Sequence, residues 1–160
     1  MKKFNFIILL FLIFILQGCG LRDPKYLHLE NKQTPNFYTN EVYTKILNGE
    51  DFSLEIFNTN MYKNISVSDT ENEIIENFIQ SLSKEDYKEG DIPTDIEPYQ
   101  IRINFSGTKY IIKVYNSSLV TLYPWDGNFQ EDIINMDSVP NHYNLYDFCK
   151  HIENDAKKFK

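Results

Sequence analysis

The residues able to do chemistry are few and scattered. The chain has three His (His28, His142 and His151) and two Cys (Cys19 and Cys149). Nucleophilic catalysis needs a nucleophile, a base and an orienting group within reach of one another. His142 and His151 are nine positions apart, about two and a half helical turns, so on a helix they face opposite ways. Cys149 and His151, two apart, also diverge. The sequence has no Gly-x-Ser-x-Gly elbow and no glycine-rich phosphate loop. The expectation is a protein that is not an enzyme, with no catalytic residues. Neither His has a Cys or His partner at zinc spacing. Calcium suits the carboxylates better, and two stretches hold enough oxygens: Asp126-x-Asn128-x-x-Glu131-Asp132 and the loop from Glu85 to Glu97. Neither matches the EF-hand loop, and acidic surface loops are ordinarily just solvated. No metal and no cofactor are therefore assigned, and calcium stays an alternative.

The aromatic residues are more telling. Tyr123, Trp125 and Phe129 crowd the stretch before the last helical pattern, and Pro124-Trp125-Asp126-Gly127-Asn128 has turn composition. A Trp in a turn is a large apolar residue where polar ones are usual. Two readings fit it. Trp125 folds back as a lid over the open end of a sheet, or Tyr123, Trp125 and Phe129 form a surface for a protein partner or a glycan.

The N-terminus carries an address. Lys2 and Lys3 precede eleven unbroken apolar residues, Phe6 to Leu16, and then Gln17-Gly18-Cys19. A basic start, an apolar stretch of this length and small residues at the cut make a secretory signal peptide. The stretch is shorter than the ~20 apolar residues of a spanning helix. Leu16-Gln17-Gly18-Cys19 resembles a bacterial lipobox. That resemblance implies cleavage before Cys19, a diacylglycerol thioether on its sulfur, and residence on the outer face of the cell membrane. The composition, with few Ala and Arg and abundant Asn, Ile, Lys and Tyr, resembles that of small uncharacterised lipoproteins of low-G+C Gram-positive bacteria.

Processing changes the arithmetic. The whole chain has 160 residues and a net charge of −7, from 16 basic and 23 acidic residues. The mature chain from Cys19 keeps 142 residues, with 14 basic against 23 acidic, a net charge of −9. Such a balance argues against nucleic acid as a partner, because phosphate contacts need clustered Lys and Arg. The expected partners are the membrane, through the lipid on Cys19, and an unknown protein or envelope component. With Cys19 lipidated, Cys149 has no mate. Leu145, Phe148, Cys149, Ile152 and Ala156 share one helical face, so core packing is the simple account of Cys149, and a reactive or partner-linking thiol the other.

The elements that must position these residues follow from periodicity. Residues 1–18 read as signal peptide, 19–35 as tether and 36–160 as a single domain. From Cys19 to Thr34 the tether reaches at most ~50–55 Å. Thr34 and Pro35 suit a helix start, and Phe37, Val42, Tyr43, Ile46 and Leu47 have helical spacing up to Gly49. Phe52, Leu54 and Ile56 alternate with polar residues as a strand, and Tyr62, Ile65 and Val67 suggest another. Ser68 and Glu71 predict a capping box for a helix running to Leu82. The stretch from Ser83 to Pro98, with Gly90, Pro93 and Pro98, reads as a loop. Tyr99–Phe105, Tyr110–Tyr115 and Leu119–Tyr123 predict a three-strand meander. Glu131–Met136 reads as a short helix and His142–Lys157 as the last one. The expected fold is α+β, an antiparallel sheet of four to five strands including a C-terminal three-strand meander, packed by two to three helices.

Overall fold

The computed structural model describes residues 32, 34–90, 92–125 and 130–158. Among these residues seven strands form a single antiparallel sheet, with three α-helices on one of its faces. The elements run α1 (Phe37–Leu47), β1 (Phe52–Asn58), β2 (Lys63–Ser66), α2 (Glu73–Ser81), β3 (Tyr87–Lys88), β4 (Tyr99–Phe105), β5 (Lys109–Val114), β6 (Leu119–Pro124), β7 (Asp132–Asn135) and α3 (Leu145–Lys158). The sheet order is β2-β1-β4-β5-β6-β7-β3.

The sheet is wider than the four to five strands expected, and the fold expectation is corrected accordingly. The meander β4–β5–β6 and the β1–β2 hairpin stand where the alternation puts them. The two additional strands are β3 and β7. Asp132-Ile133-Ile134-Asn135 is too short for periodicity to separate strand from helix. The free edge of β6 decides: Val120 pairs with Ile134 and Leu122 with Asp132. That new edge then recruits two residues, Tyr87 and Lys88, from what reads as a loop. Both outer strands are short, which limits the unpaired backbone a sheet edge exposes.

Register fixes the faces. Ile56, Ile101, Ile112 and Leu122 lie in one row across β1, β4, β5 and β6, all on the helix side and fully buried. Burying such a side chain stabilises by about 1.5–3 kcal/mol each. Val42 of α1, Ile75 and Phe78 of α2, and Leu145, Cys149 and Ile152 of α3 close the same core. Cys149 is fully buried, and burial pushes its thiol well above the ordinary range. It is a core residue.

Helix ends show where local signals were outvoted. Asn36, not Thr34, holds the N-cap position of α1, and its side chain makes no capping bond. The other end is firm: Gly49 (φ 73) donates to the Ile46 carbonyl and Glu50 to that of Lys45, which satisfies two terminal carbonyls. The predicted helix from Ser68 is a 3-10 turn, Asp69–Glu71, followed by α2. Asn72 donates to the Phe52 carbonyl at 3.1 Å and fastens that junction to β1. The reciprocal capping box lies at Ser83 and Asp86 instead. Likewise α3 begins at Leu145, after a 3-10 turn over Asn141–Tyr143, and not at His142. Asn144 accepts from the Tyr146 N–H and donates to the Ser117 carbonyl, and so holds the helix start against the β5–β6 turn.

Candidate functional site: the helix-free face and the β6–β7 junction

Among the described residues no helix covers the second face of the sheet. Alternation places Glu55 and Phe57 of β1, Arg102 of β4, Lys109, Ile111 and Lys113 of β5, and Thr121 and Tyr123 of β6 there. Ile111 and Thr121 are nevertheless buried. The β3–β4 connection joins the edge strand β3 to β4, which stand on opposite sides of β7, β6 and β5 in the sheet order. Its Ile92 lines a cleft of about 200 Å³ together with Lys32, Lys88, Glu131 and Ile133.

Cations sit over rings along this face. The Lys113 ammonium is 4.7 Å from the Tyr123 ring centroid, Lys109 is 4.8 Å from Trp125, and the Arg102 guanidinium is 4.7 Å from Phe57. Such pairs are worth about 0.5–1 kcal/mol at exposed sites. Trp125 follows β6 and donates its backbone N–H to the Lys109 carbonyl at 2.9 Å. Its side chain stays 58% exposed, so it is not a lid. Tyr123 lies half-buried under Lys113, and burial raises its phenol above the ordinary range. The two residues share the helix-free face. Phe129, the third member of the predicted surface, and Cys19, the predicted lipid attachment, lie outside the described residues, as do His28, Asp126 and Asn128.

At the β6–β7 junction two adjacent carboxylates pass to opposite faces. Glu131 turns to the helix-free face, where it bonds Thr121 and meets the Lys113 ammonium at 2.6 Å. Burial alone would lower the Lys113 pKa, but its bond to Glu131 raises it overall. Asp132 turns to the helix side and is fully buried. One oxygen accepts the backbone N–H and hydroxyl of Thr39 at 2.7 and 2.8 Å, and the other pairs with Lys32 at 2.8 Å. Lys32 also donates to the Glu131 carbonyl at 2.9 Å. Burial raises the Asp132 pKa, against the pull of Lys32 and Thr39. The tyrosine beside it, Tyr87, is pushed up to about 12, chiefly by burial. Glu131 and Asp132 therefore do not converge as oxygen ligands. Among the described residues no group of three or more His, Cys, Asp or Glu is placed to hold a metal ion.

Sequence reasoning missed Lys32 and Thr39. Lys32 lies in a polar stretch read as tether, and no local pattern marks a lysine that will be buried against a distant aspartate. The histidines are also placed differently. His142 precedes α3, so helical spacing does not apply, and it lines the same shallow cleft as His151 and Asp147. The His142 and Tyr143 rings lie 4.0 Å apart between centroids, tilted at 59°, and His151 lies 3.3 Å from Asp155 and 3.6 Å from Glu71. Both are exposed, and Cys149 is buried away from them.

The fold has a counterpart among solved structures. A chain described as "Putative Lipoprotein from Clostridium perfringens" superposes with a TM-score of 0.72 at 25% identity, over 77% of this chain and 98% of the other. No curated protein matches. Among the described residues no helix is long and apolar enough to cross a membrane. A family model matches residues 32–149, from the lysine at the β6–β7 junction to the core cysteine of α3, and the chain belongs to that family, the Domain of unknown function (DUF4883).

Proposed function

We propose that this chain is a lipoprotein held on the outer face of the cell membrane by diacylglycerol on Cys19, and that it works there as an interaction module. The Leu16-Gln17-Gly18-Cys19 pattern and the likeness to the Clostridium perfringens chain support the anchor. One observation carries the interaction reading: Trp125 stands exposed beside Lys109 at the end of β6, on the face that no helix covers. Exposed Trp flanked by a cation is the composition of contact hot spots. Lys32 sets the distance from the bilayer. It is thirteen positions beyond Cys19, so it lies at most ~45 Å from the lipid.

Metabolic labelling with a fatty-acid analogue tests the anchor. The native chain takes up label and Cys19→Ser does not; continued labelling of Cys19→Ser would overturn it. Crosslinking and pull-down from intact membranes tests the surface. Trp125→Ala loses a partner that the native chain retains, and an unchanged set of partners would overturn that half of the proposal.

A further inference from the structure

The cleft beside β7 opens where a ladder stops. Strand β3 pairs with β7 at Tyr87–Ile134 and Lys88–Ile133 and no further. Glu89 and Gly90 then leave β7, and Gly90 turns at φ 152, a conformation that glycine adopts freely. The Glu131 carbonyl lies beyond the last pair. It is taken by the Lys32 ammonium at 2.9 Å and not by a strand.

Two buried charges of opposite sign line this one cleft, Lys32 and Glu131. Their side chains are only 7% and 8% exposed. Each has capacity to spare. An ammonium has three N–H donors. Lys32 commits one to Asp132 and one to the Glu131 carbonyl, and among the described residues the third has no partner. A carboxylate offers about four acceptor sites. Glu131 gives one to Lys113 and one to the Thr121 hydroxyl. Lys88 and Glu89, both exposed, add one charge of each sign at the rim. The remaining wall is apolar, with Pro35, Ile92 and Ile133.

Size and charge balance restrict the ligand. About 200 Å³ is the share of roughly seven waters, and is less than a drug-sized ligand needs. A lone anion would meet Glu131 and Glu89 as well as the lysines, and a lone cation the reverse. A molecule with both charges and a short apolar body uses every wall.

We propose that this cleft binds a small zwitterion with an aliphatic side chain, the chemistry of a free α-amino acid such as leucine or valine. Its carboxylate takes the spare Lys32 donor, its ammonium the spare Glu131 acceptors, and its side chain lies against Ile92 and Ile133. The site does not use Trp125, and it stands whether or not the interaction-module reading does.

The test is thermal unfolding of the full chain, purified in detergent, with leucine, isocaproate and isopentylamine as probes. Isocaproate lacks only the amine of leucine, and isopentylamine only its carboxylate. Leucine raises the Tm saturably, by at least ~5 °C at a hundredfold excess over its dissociation constant, and the other two do not. Glu131→Gln removes the charge but keeps an oxygen for Thr121, and weakens the leucine response at least tenfold. Ile92→Trp fills the cleft from a segment outside helices and strands, and abolishes the response even if Glu131→Gln fails to fold. Trp125→Ala leaves it unchanged. The proposal is overturned by no rise with leucine or valine up to ~10 mM. An equal rise with isocaproate or isopentylamine also overturns it, since one charge would then suffice. So does a leucine response that survives Ile92→Trp.

Discussion

Lys32 and Asp132 form a buried ion pair at 2.8 Å that joins the N-terminal approach to the seventh strand of the sheet. Neither charge is tolerable there alone. A buried pair that loses one partner typically costs 3–5 kcal/mol, because the other charge is left in a poorly polarisable site. Lys32→Met should therefore destabilise by about 3 kcal/mol in denaturant unfolding. The double substitution Lys32→Met with Asp132→Asn should recover at least half, since Asn still accepts the Thr39 N–H. Additive losses would mean that the two residues are not coupled.

Glu153 and Asp132 respond oppositely to pH. The Glu153 carboxylate is held below its ordinary range, first by Lys157 and then by the Tyr99 hydroxyl, at 2.7 and 2.6 Å. It contributes stability that is complete above the unfolded value of 4.5 and is lost as pH falls through its lower folded value. Asp132 is raised, so its contribution declines as pH rises from 3.8 through the higher folded value. Glu153→Gln should cost about 1–2 kcal/mol near neutral pH and flatten the loss of stability below pH 4.5. Asp132→Asn should instead remove a fall in stability above pH 3.8. Urea midpoints measured from pH 3 to 8 separate the two.

Cys149 is fully buried, and burial makes its thiolate unfavourable. On a Cys19→Ser background it is the one thiol of the chain. A disulfide reagent should modify it at least ~10³-fold more slowly in the native protein than in denaturant, because reaction must await opening of the core. Cys149→Ser should cost about 1–3 kcal/mol by placing a hydroxyl among apolar side chains. Rapid labelling of the native protein would show α3 to be loosely docked.

Trp125 is the single Trp of the sequence, so intrinsic fluorescence reports it alone. At 58% exposure its emission should be red-shifted and open to acrylamide quenching in the free protein. Trp125→Ala should change stability by less than ~1 kcal/mol, with the Lys109 contact its main loss. Blue, protected emission would mean that the ring is covered.

Long, strongly periodic elements were legible before the structure. Ile75, Phe78 and Ile79 mark α2, and Tyr99, Ile101 and Ile103 mark β4, because each repeats its pattern often enough to identify one face. The candidate site was half legible. Tyr123 and Trp125 drew notice by type, but the cations over them did not, because Lys113 meets Tyr123 diagonally across two strands. Short pieces were misread for a related reason. Asp132–Asn135 has no period to read, and Tyr87–Lys88 is a strand only because β7 lies beside it.

By itself, the sequence determined the acidic balance, the apolar stripes of α2 and α3 and the β4–β5–β6 meander, all of them properties of local order and composition. Tertiary structure alone decided the width of the sheet, the split of Glu131 and Asp132 to opposite faces and the burial of Lys32. The reason is physical. Backbone pairing at a free strand edge and charge pairing in a dry interior are satisfied by partners distant in the chain, and one segment's pattern does not encode where those partners will be.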